Sequence, residues 1–94
     1  MKFKNKIKED LKHILIKNLN ADLQNKLDKI TDYIFETYFK VIYFPDKKEI
    51  MERCEINLEE SEIIYQLYRE KIFLELAGLV FFYMNNLESR ANLD

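Results

Sequence analysis

Glycine, proline, cysteine, histidine and tryptophan are nearly missing from this chain: its 94 residues hold one Gly, one Pro, one Cys, one His and no Trp. Each shortage removes a class of structure or chemistry. A β-rich fold of this size spends glycine on hairpin turns, so a single glycine points to helices joined by short polar connections. A single cysteine, Cys54, allows neither an intrachain disulfide nor a metal centre built on thiolates. It is expected as a free, buried thiol. A single histidine, His13, with Glu9 one helical turn before it, falls short of the three protein ligands a catalytic zinc requires. His13 is expected to be solvated. Glycine-rich phosphate loops, serine nucleophile motifs and paired catalytic carboxylates are missing as well. Neither an enzymatic activity nor a cofactor is expected.

Long apolar runs are also scarce. The longest, 72–84, spans 13 residues and is interrupted by Glu75, whereas a membrane span needs about 20. The start, Met1-Lys-Phe-Lys, lacks the apolar core of a secretion signal. A cytoplasmic protein without a transmembrane segment is expected.

What is present is 48% hydrophobic and 34% charged, rich in Leu, Ile, Lys and Glu, with six Tyr and seven Phe. That apolar fraction suits a folded chain, and 94 residues make one domain. The charge is uneven: residues 1–45 carry nine Lys against six acids, and residues 46–94 carry six bases against eleven acids. The basic front and acidic rear are placed either to steer head-to-tail association or to pair within the fold.

Helical periodicity accounts for nearly the whole chain. The fold class is all-α, a small bundle of three to four helices at about 3–19, 22–44, 46–55 and 57–87, with 88–94 a frayed tail. Phe3, Ile7, Leu11, Ile14 and Leu15 share the apolar face of the first helix. Asn20 or Asp22 is placed to cap the second, which runs on Leu23, Leu27, Ile30, Ile34 and Tyr38. It ends at Phe44-Pro45, because the residue before proline is driven from the helical region. A strand over 39–44 is the competing assignment, since that stretch is aromatic and β-branched. Asp46 with Glu49, and Asn57 with Glu60, have the spacing of two capping boxes.

The last helix carries the most information. At about 100° per residue, Ile63, Ile64, Leu67 and Tyr68 share one face. From Ile72 onward, Phe73, Leu76, Ala77, Val80, Tyr83, Met84 and Leu87 cover the opposite side. Such a helix either breaks near 69–72 or stays straight and touches different partners at its two ends. No proline marks a break, which favours the straight form. Glu75, inside this apolar run, is expected to reach solvent or pair with Lys71. At about 45 Å, the helix also outruns a compact domain whose radius of gyration would be roughly 12 Å.

Two functions fit this sequence. The leading one is a non-catalytic helical module for protein–protein interaction, an adaptor, inhibitor or assembly subunit, that acts as a homodimer and binds a further protein. Its interface, or the core adjoining it, is drawn from Phe73, Leu76, Val80, Phe81, Tyr83 and Met84, with Gly78 permitting a close helix approach. The alternative is a small nucleic-acid-associated regulator of the antitoxin type, using the basic first helix. Lys4, Lys8 and Lys12 line one flank of that helix, where a phosphate backbone or an anionic membrane surface would meet them.

Overall fold

The computed structural model describes the backbone of residues 3–41 and 45–93. Among these the architecture is all-helical: α1 (Lys4–Asn18), α2 (Ala21–Gln24), α3 (Leu27–Val41), α4 (Lys47–Cys54), α5 (Leu58–Leu67), a π turn (Tyr68–Ile72) and α6 (Phe73–Leu93). The expected helical bundle is observed.

α1 sets its face by a four-residue step: Ile7, Leu11 and Leu15 are fully buried. Its exit is closed by side chains rather than glycine. Asn18 Nδ2 donates to the Ile14 carbonyl at 2.7 Å, and Gln24 Nε2 reaches back to the Leu19 carbonyl at 3.0 Å. The last carbonyls of a helix need such partners. Asn20 caps α2, its Oδ1 accepting from Leu23 N at 2.9 Å.

The single helix expected at 22–44 is divided. The Lys26 N–H bonds the Leu23 carbonyl three residues back, at 2.9 Å, instead of the carbonyl four back. This tight turn separates α2 from α3 while keeping Leu23, Ile30 and Ile34 in one core. The backbone at 39–41 is helical, against the strand assignment. Residues 42–44 lie outside the described residues, and with them the exact end of the helix before Pro45.

Asp46 caps α4 as expected, but its carboxylate takes the N–H of Lys48 at 3.0 Å rather than that of Glu49, so the reciprocal box is not closed. With no glycine at hand, α4 ends on Glu55 in the left-handed region (φ 57°, ψ 50°). A non-glycine residue pays about 1–2 kcal/mol for that conformation. Glu55 is held there beside the Lys29 ammonium, with Lys26 Nζ at 3.9 Å. The Asn57 box at the start of α5 is complete: Asn57 Oδ1 accepts from Glu60 N at 2.8 Å, and Glu60 Oε1 accepts from Asn57 N at 3.2 Å.

The long helix neither breaks nor runs on as a uniform α-helix. It is continuous from Leu58 to Leu93, but residues 68–72 form a π turn, in which each bond spans one residue more. Ile64, Tyr68, Ile72 and Leu76 are all fully buried in one core. Four-residue steps drift by about 40° each in an α-helix, roughly 120° over the three steps. The π turn takes up one additional residue, about 100°, and cancels most of that drift. A fixed angle per residue therefore misplaces the faces: the two apolar sides do not end up opposite each other, because the π turn brings the second back onto the core.

The molecule measures 50 × 25 × 20 Å, with a radius of gyration of 14.3 Å. That exceeds the roughly 12 Å of a compact chain this long, as the protruding helix requires. The helical backbone also continues to Leu93, past the expected end near 87.

Candidate interaction surface

α6 is apolar on both sides. Its inner side carries Ile72 and Leu76, fully buried, with Phe73, Leu79, Val80 and Tyr83 half-buried against the same core. The Phe73 ring sits edge-on to Tyr38 at 5.6 Å and to Tyr68 at 6.0 Å. Its outer side carries Leu74 at 68% exposure, Phe81 at 69%, Phe82 at 57% and Met84 at 47%. Ala77 and Gly78 are exposed among them.

Two contacts with α1 fix which side faces out. The Tyr83 hydroxyl donates to Asp10 Oδ2 at 2.6 Å, while its ring stacks on Phe3 with centroids 6.2 Å apart. Lys71 Nζ donates to Asn18 Oδ1 at 3.1 Å. The pairs 83 with 10 and 71 with 18 run in opposite order along the two helices, so α6 lies antiparallel to α1 and is pinned near both ends of the contact. It cannot roll to hide Leu74 and Phe81. The bond to Asp10, then burial and the carboxylates of Asp10 and Glu9, raise the Tyr83 pKa above its ordinary value, which keeps the hydroxyl a donor.

The six residues read from the sequence as an interface or the core adjoining it thus divide between the two sides. Phe73, Leu76, Val80 and Tyr83 pack against the chain's own core; Phe81 and Met84 face outward. Leu74 and Phe82, which belong to the outer side, were missed. The signal was present, since Leu74, Gly78, Phe81 and Asn85 fall along one line at helical spacing. Gly78 serves no close approach inside the protomer: a Cβ built there meets nothing within 4 Å. Glu75 does not pair with Lys71, which turns to Asn18 instead. One of its carboxyl oxygens is covered and has no hydrogen-bond partner among the described residues.

The lysine flank of α1 closes onto α3. Lys8 Nζ lies 2.5 Å from Asp32 and Lys12 Nζ lies 2.8 Å from Asp28. Lys4 Nζ stands 5.3 Å over the Phe39 ring and Lys8 Nζ 5.7 Å over Phe35. Lys12, bonded to Asp28, holds that carboxyl below its usual range, and its own pKa is raised in turn. An open groove of about 610 Å³ runs beside these pairs, lined by Asn5, Lys8, Glu9, Lys12, Asp28, Thr31 and Asp32. Three carboxylates against two ammonium groups make it a poor seat for phosphate. Part of the rear pairs with the front as well: Arg53 bonds Glu36 at 2.5 Å and stands 5.3 Å over the Tyr33 ring.

His13 is exposed, and among the described residues no three His, Cys, Asp or Glu side chains converge as metal ligands. Cys54 is buried, and burial pushes its thiol up to about 11, far from the reactive range. No described helix is long and apolar enough to cross a membrane.

No protein family model matches the chain, and no solved structure matches it. Its sequence is similar to "Uncharacterized protein L294" of Acanthamoeba polyphaga mimivirus, 36% identical over 66 residues that cover 63% of this chain. The chain spans about 2% of the length of that relative.

Proposed function

We propose that this chain is a non-catalytic interaction module that works as a homodimer, two copies meeting through the outer side of α6. One observation carries it: Leu74, Phe81, Phe82 and Met84 are about half exposed or more on a helix whose roll is fixed by its own contacts with α1. Large side chains of this kind offer roughly 150–250 Å² each when fully covered, so the four expose on the order of 400–500 Å² between them. Two copies would bury about 1,000 Å², the lower bound for a specific interface. The patch is close to the largest that monomeric proteins tolerate. The nucleic-acid alternative loses ground by comparison, since Lys8 and Lys12 already face carboxylates and Lys4 an aromatic ring.

Light scattering on the full chain tests the proposal. A mass of twice 11.5 kDa at micromolar concentration is expected. A strict monomer at high micromolar concentration would remove the homodimer, and with it this function.

A further inference from the structure

Resting on the homodimer reading, we infer that the two α6 helices cross antiparallel, with the twofold axis passing between Ala77 and Gly78. The outer line of the helix is nearly symmetric about that point: Leu74, Ala77, Gly78 and Phe81 read large, small, small, large. An antiparallel twofold sets Leu74 against the partner's Phe81 and Ala77 against the partner's Gly78. The small pair at the crossing lets the backbones approach, and the large residues fill the space where the helices diverge.

Charge selects this direction over a parallel one. Glu70, exposed, lies one turn before Leu74 on the same line, and Asn85, also exposed, lies one turn after Phe81. Antiparallel crossing places Glu70 beside the partner's Asn85, whose amide can donate to it. Parallel crossing sets Glu70 against its own copy, where like charges repel. Opposed macrodipoles favour the same direction. The far half of α6, where 81, 82 and 84–86 all stand exposed, then rests on the near half of the partner helix instead of projecting into water.

Thiol crosslinking reads the direction. Cys54 is buried in the core, so an introduced surface thiol reacts selectively. Leu74→Cys and Phe81→Cys chains are prepared separately, then mixed, and treated with a thiol–thiol reagent a few ångströms long. Seven residues of helix separate the two positions, about 10 Å, so the reagent cannot bridge the wrong pairing. Expected is a covalent species of twice the chain mass in the mixture, joined 74 to 81, and little in either chain alone. Self-crosslinking of each chain separately, without the mixed product, would overturn the antiparallel crossing and leave the dimer standing. No crosslink with dimeric mass retained would place the interface elsewhere and overturn it too. Monomeric mass of the unmodified chain would instead remove the homodimer itself.

Discussion

The two halves of the long helix use the same residue types to different ends. In α5 and the π turn, Ile64, Tyr68 and Ile72 are fully buried while Glu59, Glu62, Gln66, Arg69 and Glu70 face water, and the exposed apolar residues, Leu58 and Ile63, stand among those polar side chains. In α6 the inner side continues the core through Leu76, Val80 and Tyr83, yet the outer side is apolar as well. Stability of a single protomer explains most of the first half, where Leu58 and Ile63 are the exposed large apolar residues. It explains only one side of the second, since a monomer gains nothing from Leu74 and Phe81 in water. Surplus apolar surface of this kind is what the proposed second copy would cover.

The largest effect on this comparison comes from breaking the phase between the halves. Inserting an alanine after Glu70, an exposed residue of a π turn that already absorbs one additional residue, should turn everything beyond it by about 100°. Leu76, Val80 and Tyr83 would leave the core together with the Phe73 contacts. At roughly 1.5–3 kcal/mol per large side chain, the loss rivals the about 5–15 kcal/mol stability of a whole domain. Thermal melting followed by circular dichroism should lose its cooperative transition. An unchanged midpoint would mean that the π turn does not set the phase.

A smaller and cleaner contrast uses two leucines two residues apart. Leu76→Ala should cost about 2–5 kcal/mol in urea unfolding, because a filled core position becomes a cavity. Leu74→Ala, at dilutions where the chain is monomeric, should stay within about 0.5 kcal/mol, yet weaken self-association at high concentration. Equal costs for the two would erase the distinction between the sides.

Much of this was legible in the sequence. The scarcity of glycine and proline, the four-residue apolar steps and the Asn20, Asp46 and Asn57 caps suffice for the helices and most of their starts. The π turn was not legible, because 68–72 contains no residue that demands one; the turn answers a mismatch of phase that appears only when both halves meet the same core. The same mismatch explains why the sequence left Phe73, Leu76, Val80 and Tyr83 open between an interface and the core adjoining it. The pairing of Lys8 with Asp32 and Lys12 with Asp28 was out of reach too, since it depends on how α1 lies against α3.

The least disruptive probe is alkaline pH. Burial pushes Tyr68 up to about 12 and Cys54 up to about 11, above the roughly 10 and 8.5–9 of the unfolded chain. The folded state then holds protons that the unfolded state releases, so stability falls as pH rises. It should be level below about pH 8 and decline between about 8.5 and 12. Leu74, Ala77, Gly78, Phe81, Phe82 and Met84 carry no titrating group, so dimeric mass should persist until the fold itself fails. Dissociation well below pH 9, seen in light scattering at stepped pH, would point to an interface built on other residues.

Gly78 offers the most direct test of a second copy on α6. Gly78→Arg adds length and charge at the centre of the outer side, where the protomer has nothing within 4 Å of the new Cβ. Arginine is also the better helix former, by up to about 1 kcal/mol, so the fold should melt at the same temperature or higher. Sedimentation of this variant beside the unmodified chain should show monomer beside dimer, at equal helicity. Two dimers of equal affinity would contradict the account.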